Sequence, residues 1–197
     1  RVALTRMVSA GDLVRSADGY RLADRLLARQ RRQDAAIDPK TRPWRGDWTT
    51  VVITTIGAAA RTRADLRNDL LQNRFGELRE GLWLRPANLA GELPEEITAN
   101  ARVLTSRDDD PAGLAAVLWD LPAWSDTARQ LLDEIASAAD VPGRFVAAAA
   151  IVRHLLSDPV LPAELLPGDW PGERLRQAYA DFAAELTGRR DEPMEAS

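Results

Sequence analysis

The stretch Trp48-Thr49-Thr50-Val51-Val52-Ile53-Thr54-Thr55-Ile56 is β-branched at every position after the first and holds no glycine, proline or charge. β-branched side chains are restricted at χ1 in a helix and pack well on a pleated surface, so the run reads as a buried strand. Outward from it, Thr62 with Asp65 three residues on gives a capping-box-like helix start, and Leu66, Leu70 and Leu71 supply an apolar face that ends at Phe75-Gly76. Leu78 to Pro86, containing Gly81-Leu82-Trp83-Leu84, predicts a second strand and Ala101 to Thr105 a third, with the Pro/Gly-bearing stretch 87–100 between them. Leu114 to Trp119 reads as a short helix. Strand-helix-strand-strand-helix is the order of a ferredoxin-like α+β sandwich, with its fourth strand unassigned.

The remaining carboxy-terminal third reads as helical. Ser125 is placed to cap a helix to about Asp140, with Leu131, Leu132 and Ile135 inward. Phe145, Ala149, Val152 and Leu156 recur at helical spacing and predict the core face of a second helix, and Leu175, Tyr179, Phe182 and Leu186 that of a third. Pro171 suits the first turn of that last helix and Gly188 its end, leaving 189–197 as a disordered tail. At the amino end, Val2, Leu4, Met7 and Val8 read as the last turns of a helix stopped by Ala10-Gly11. Asp12 to Arg15 and Tyr20 to Leu22 flank an Asp18-Gly19 turn, a strong hairpin signal. A helix end followed by a small hairpin is the back half of a winged helix-turn-helix. A helix over Ala23 to Arg32 follows, with Leu22, Leu26 and Leu27 on one side and Arg25, Arg29 and Arg32 on another. The sequence thus divides into a head remnant (1–33), a linker (34–43), a ferredoxin-like central domain (44–122), a helical domain (123–188) and a tail (189–197).

Charge is segregated along this order. The net charge of −4 is the sum of +6 over residues 1–45 and −10 over the rest. A basic end on an acidic body suits a nucleic-acid-binding head, because phosphate neutralisation supplies most non-specific affinity; a solvated basic helix near a terminus would look the same. Lys40 is the only lysine, a bias that fits GC-rich codon usage rather than a function. There is no cysteine, so disulfides and thiolate metal sites are excluded, which fits a reducing cytoplasm. The longest apolar stretches, such as Phe145 to Ile151, fall far short of the ~20 residues that span a bilayer, so no membrane partner is expected. Arg1 to Ala10 lack a signal-peptide core, and a first residue other than methionine suggests a chain that begins inside a longer protein.

Three groups of residues together resemble the PaaX-type transcriptional repressors of phenylacetate catabolism. The first is Leu4-Thr5-Arg6-Met7-Val8-Ser9-Ala10-Gly11-Asp12-Leu13, closed by Tyr20-Arg21-Leu22. The second is Trp44-Arg45-Gly46-Asp47-Trp48, followed by Arg63-Ala64-Asp65-Leu66-Arg67 and Gly81-Leu82-Trp83-Leu84-Arg85-Pro86. The third and most specific is Asp158-Pro159-Val160-Leu161-Pro162-Ala163-Glu164-Leu165-Leu166-Pro167-Gly168-Asp169-Trp170-Pro171-Gly172. The resemblance implies a winged helix, a central ferredoxin-like domain similar to the small CRISPR-adaptation nuclease, and a helical carboxy-terminal domain. It also implies a homodimer that represses a catabolic operon by binding operator DNA and is released by phenylacetyl-CoA or a related acyl-CoA effector, with no cofactor. Two departures stand out: the first helices of the head are absent, and the wing tip Ser16-Ala17-Asp18-Gly19 is short and carries an acid.

Within that frame, Arg1, Thr5 and Arg6 fall on the recognition-helix remnant and Arg15, Ser16 and Arg21 on the wing, where they can reach DNA phosphates; a solvated surface is the alternative. Arg63, Arg67 and Arg74 fall within about 40° of one another at ~100° per residue and make a stripe that can take CoA phosphates or pair with acids of a neighbouring domain. Trp48 and Trp83 belong to the core by their place in strands. Trp170 sits in a proline-rich connector that reads as a structural clamp first and a ligand-pocket wall second. His154 has no nucleophile partner and reads as structural, and Asp108-Asp109-Asp110 reads as a solvated loop and helix start.

No catalysis is expected. The CRISPR-adaptation nucleases hold a metal with an acid at the end of the first strand, where this chain has Thr54-Thr55-Ile56. A metal-dependent nuclease and a protein-interaction scaffold are the alternatives to a ligand-released repressor.

Overall fold

The computed structural model of the chain describes residues 6, 8, 10, 13–16, 19–55 and 60–191. In chain order it contains β1 (Leu13–Ser16), β2 (Gly19–Leu22), α1 (Asp24–Ile37), β3 (Trp48–Ile53), α2 (Ala60–Gln72), β4 (Gly76–Arg79), β5 (Leu82–Pro86), α3 (Glu95–Thr98), β6 (Ala101–Ser106), α4 (Pro111–Leu118), α5 (Leu121–Ser137), α6 (Val141–Leu155), a 3-10 turn (Ala163–Leu165) and α7 (Gly172–Asp191). The class is α+β. Among the described residues, no helix is long and apolar enough to cross a membrane.

β3 lies inside an antiparallel four-stranded sheet of order β4-β5-β3-β6. Its register sets Val51 opposite Trp83 and Val103, and Trp48 opposite Pro86 and Ser106. Because side chains alternate along a strand, the two faces serve two cores. Val51 and Trp83 pack with Leu66 and Leu70 of α2 and Ile97 of α3. Trp48 and Leu84 pack on the other face against Ala115 of α4 and Leu161 and Leu165 of the proline-rich connector. Both tryptophans are at most 1% exposed, so their core placement holds, although each leaves its indole N–H without a partner. An unmade hydrogen bond costs about 1–3 kcal/mol, which the area buried by an indole can offset.

The strand absent from the sequence reading is β4, which starts at Gly76 and overlaps the stretch read as one strand from Leu78 to Pro86. β4 and β5 fold back on each other at Glu80-Gly81, where Gly81 takes φ +76. The left-handed conformation is open to glycine without a Cβ penalty, so Gly81 is the turn rather than part of a continuous strand.

Helix ends also differ from expectation for local reasons. α5 begins at Leu121, not Ser125, because the Asp120 carboxylate accepts the Ala123 N–H at 3.1 Å and Pro122 fits the first turn; Ser125 is buried within the helix. Asp110 and Asp140 cap α4 and α6 by the same bond, to Gly113 at 3.0 Å and Gly143 at 2.8 Å. α1 continues to Ile37, five residues past Arg32, and its Ala36 is fully buried in the helical core. α7 runs through Gly188 to Asp191, and residues 192–197 lie outside those described.

α6 is rotated from its predicted orientation, and of the predicted residues Val152 is buried. Its buried face is Ala147, Ala148, Ile151, Val152 and Leu155, whereas Phe145 is 58% exposed and Ala149 and Leu156 are exposed too. The alanines on the buried side let α5 and α7 approach closely, which the larger Phe145 would prevent. α7 keeps its expected face, with Leu175 and Phe182 buried and Tyr179 and Leu186 packed at the margin.

Gly76 opens β4 against the end of α4, and a Cβ built there would stand 2.7 Å from Leu118 Cβ and 3.1 Å from the Leu118 carbonyl oxygen. Gly76→Ala is therefore expected to destabilise the protein by about 1–3 kcal/mol, as overpacking does, read as a lower urea midpoint with an unchanged slope.

Candidate functional site

The proline-rich connector is organised by one buried acid. Asp158 is 1% exposed; its Oδ1 accepts the Val160 N–H at 2.8 Å and its Oδ2 accepts Arg176 Nη2 at 2.6 Å. Arg176 Nε in turn donates to the Ala36 carbonyl of α1 at 3.2 Å. Arg74 Nη1 donates to the carbonyls of Leu155, Leu156 and Asp158 at 3.2, 2.6 and 2.6 Å, and Asn88 Nδ2 donates to the Val160 carbonyl at 2.9 Å. The amino-terminal helix, the central sheet domain and the helical domain thus all converge on residues 158–160. Val160 adopts φ +53, costly for a β-branched residue, and is held there by the bonds to its N–H and C=O.

Three cavities open around this junction. The largest, about 640 Å³, lies between the 37–44 segment and the connector, beside Asn88 and Arg176. Asp38, Asp158, Glu164 and Glu173 line it against Arg42 and Arg176, so its charge is acidic. A groove of about 390 Å³ runs between α1, α6 and α7 and contains Phe145, Val152, Leu156, Tyr179, Phe182 and Leu186. A cleft of about 320 Å³ adjoins it, lined by Arg29, Arg32, Ala35, Gln72, Arg74 and Leu156, with no acid among them.

The arginine stripe expected on α2 is not one surface. α2 ends at Gln72, and Arg74 follows in a left-handed conformation, φ +64, that turns it toward α6. There it satisfies carbonyls that the end of α6 leaves unpaired. Burial lowers its pKa from the ordinary arginine value, with Asp158 opposing the shift. Arg63 and Arg67 instead line a separate cavity of about 400 Å³ on the sheet with Glu77 and Glu80. Arg67 is ion-paired to Glu77 and lies over the Trp83 ring at 5.1 Å. Trp170 is elsewhere again: it stacks on Trp124 at 4.4 Å, and Trp124 also stacks on His154 at 4.4 Å.

Of the expected DNA-facing residues, Arg1 and Thr5 lie outside the described residues. Arg6 is exposed beside the last helical turn before β1; Arg15 and Ser16 lie on β1; and Arg21 on β2 is exposed and paired with Asp24 at 2.8 Å. The β1–β2 hairpin pairs Leu13 with Leu22 and Ser16 with Gly19.

Sequence reasoning passed over Asn88, Asp158, Arg176 and Arg85. Arg85 is 8% exposed; its Nη1 donates to the Asn73 carbonyl at 2.7 Å and its guanidinium lies 4.8 Å from the Phe75 ring centre. Burial, with a smaller contribution from Arg42, pushes its pKa down to about 10. The signal available was alternation: Arg85 is two residues from the inward Trp83 and must share its face.

Comparison with known proteins places this arrangement. Residues 41–107 match the PaaX protein central Cas2-like domain, and residues 119–196 match the PaaX-like protein C-terminal domain. The chain belongs to the PaaX family. It is 28% identical over 207 residues to the transcriptional repressor PaaX of Escherichia coli (strain K12), covering 90% of this chain and 65% of that protein. The chain thus spans just under two thirds of the length of this curated relative. Its structure is similar to that of an uncharacterized protein of Mycobacterium tuberculosis, Rv0674, at a TM-score of 0.83 and 62% identity, covering 97% of this chain and 82% of the other. The Asp158–Arg176 junction falls within the C-terminal PaaX-like domain, while its partners Ala36 and Asn88 come from outside it.

Two measurements test this junction. Arg176→Met leaves the Asp158 carboxylate buried without its cation and is expected to cost about 3–5 kcal/mol in urea unfolding, whereas adding Asp158→Asn in the same protein should recover part of that loss. His154 is half-buried and its Nε2 lies 3.0 Å from the Trp124 carbonyl, so the neutral ring donates there. Burial lowers its pKa below 6.5, against smaller opposing effects of that bond and of Asp158. The stability contributed by the neutral ring is fully present above the unfolded pKa and is lost as pH falls through the folded one. Thermal midpoints taken from about pH 8 to about pH 5.5 should fall more in the wild type than in His154→Gln, which cannot titrate.

Proposed function

We propose that this protein is the DNA-binding and ligand-responsive body of a homodimeric transcriptional repressor of a catabolic operon, for phenylacetate or a related aromatic acid, released from operator DNA by an acyl-CoA such as phenylacetyl-CoA. The observation that carries the reading is membership of the PaaX family together with the E. coli relative's description as a transcriptional repressor. The segregated charge supports it, with +6 over residues 1–45. So does the small hairpin after a helical turn, read as the wing of a winged helix with Arg1, Thr5, Arg6, Arg15, Ser16 and Arg21 on its DNA face. The central unit is read as a ferredoxin-like sandwich over about residues 44–122, supported by the strand order β4-β5-β3-β6.

The protein is read as non-enzymatic. At the end of β3, Thr54 and Thr55 stand where a nuclease of related fold holds a metal-binding acid, and both hydroxyls donate to the Asn100 carbonyl, at 3.4 and 3.2 Å. A hydroxyl engaged in this way is no substitute for a carboxylate ligand.

Titration of the protein against labelled duplex DNA at rising salt tests the reading. Affinity is expected to fall steeply with salt, Arg6→Glu with Arg21→Glu to weaken it several-fold, and phenylacetyl-CoA to release the DNA. DNA binding that ignores both salt and these charge reversals would overturn the assigned face. Hydrolysis of DNA or RNA with Mg²⁺ or Mn²⁺ that disappears on mutating a residue of this chain would overturn the non-enzymatic reading.

A further inference from the structure

α6 carries two apolar faces, and only one is consumed by the core. The other presents Phe145, Ala149 and Leu156 to the groove against α1 and α7, with the buried Val152 at its floor, where the Phe145 and Phe182 rings meet edge to face at 6.3 Å. Leu156 and Arg29 line both this groove and the arginine cleft, so the two adjoin, apolar on one side and cationic on the other. At the cationic end, Arg29 and Arg32 stand one turn apart on α1, and Arg74 reaches the same space from the central domain.

The arginines differ in how they are held. Arg74 makes its three bonds to carbonyls through Nη1 alone, so its position is fixed while its other N–H groups have no protein acceptor among the described residues. Arg32 donates to the Gln72 side chain, and no ion-pair partner of Arg29 or Arg32 occurs among the described residues. Three guanidiniums line one cleft with no acid in its lining, an arrangement suited to a phosphate, although Arg32 also feels Asp69 and Arg74 feels Asp158. The groove's own charges are Arg29, Arg153 and Asp34, and its floor is aliphatic and aromatic.

We propose that the cleft and groove form one site for a phosphorylated amphiphile, its phosphate on Arg29, Arg32 and Arg74 and its apolar group against Phe145, Val152 and Phe182. The larger cavity beside Asn88 is excluded for such a ligand because four carboxylates line it against two guanidiniums. The assignment rests on the reading that a small-molecule effector releases this repressor, and it supplies that effector's place. Both ends of the site are built partly from α1, the helix that follows the hairpin, so occupancy bears directly on the element joining head to body.

Calorimetric titration of the 197-residue protein with phenylacetyl-CoA, free CoA and phenylacetate tests the assignment. Phenylacetyl-CoA is expected to bind more tightly than CoA, and phenylacetate weakest. Arg29→Glu with Arg32→Glu should lower phenylacetyl-CoA and CoA affinity at least tenfold. Phe145→Gln, at an exposed position, should lower phenylacetyl-CoA affinity while sparing CoA. Arg63→Gln with Arg67→Gln, in the separate cavity on the sheet, should change neither. Unaltered phenylacetyl-CoA binding by the Arg29/Arg32 variant would overturn the site and leave the effector reading standing, as would a variant that lost only duplex DNA affinity, which would make the cleft a DNA contact. Absence of binding by any of the three ligands to the unaltered protein, with DNA affinity intact, would overturn the effector reading itself.

Discussion

The buried pair of Asp158 and Arg176 is the constraint on which the rest of the chain's arrangement depends. An ion pair taken out of water rarely stabilises by itself, because desolvation offsets most of the Coulombic gain. Its value lies in what the two groups hold besides each other. The carboxylate fixes the Val160 N–H, and the guanidinium fixes the Ala36 carbonyl, so one pair sets the connector's path and the seat of α1 together. Arg74 and Asn88 then tie the central domain to the carbonyls of the same short segment. Four proline residues limit the conformations open to the connector before it folds, which lowers the entropy lost when it is pinned.

A second consequence follows for the tryptophans. Trp170 lies at the end of that connector and stacks on Trp124, which itself stacks on His154. The stack joins α5, α6 and the connector just ahead of α7, which fits Trp170's place as a clamp, while Trp170 also lines the cavity of about 640 Å³. The exposed Phe145, in contact with Phe182 only at its edge, retains a free face.

Much of this fold was legible in the sequence because its strongest signals are local. The β-branched run at 48–53, the hairpin pairing of Leu13 to Ser16 with Gly19 to Leu22, and the repeat through Leu175 and Phe182 each follow a local signal that tertiary contacts do not override. The fourth strand was hidden because Glu80-Gly81 interrupts a run that reads as continuous when only its apolar residues are counted. α6 misled for the opposite reason: nearly every position is apolar, so periodicity picks out the larger residues and overlooks alanines that permit close packing. The junction was harder still. Asp158, Asn88 and Arg176 are separated by tens of residues and look like ordinary surface polar groups until the chain's path brings them into one buried network. Arg74 shows the limit of helical-wheel reasoning, since two residues beyond a helix end the projection no longer holds.

Under the proposed function, the coupling between ligand and DNA becomes a question about α1. Its carboxy-terminal end is part of the body by every energetic measure, with Ala36 buried in the helical core and its carbonyl bonded to Arg176. From Arg29 onward the same helix also walls the groove and the arginine cleft, through Arg29, Arg32 and Gln33. A ligand changes an equilibrium only by binding one arrangement more tightly than another. Filling a space walled by α1 between Arg29 and Ile37 meets that condition, because the cationic end of the space exists only where Arg29 and Arg32 face Arg74. The ligand would therefore favour the orientation of α1 that closes this space. Because linkage is reciprocal, DNA that holds the hairpin in a different orientation must weaken the ligand by the same factor. The firm anchor at Ala36 is what gives this exchange a pivot: without it, α1 would drift with the hairpin, and the body would have no purchase on it.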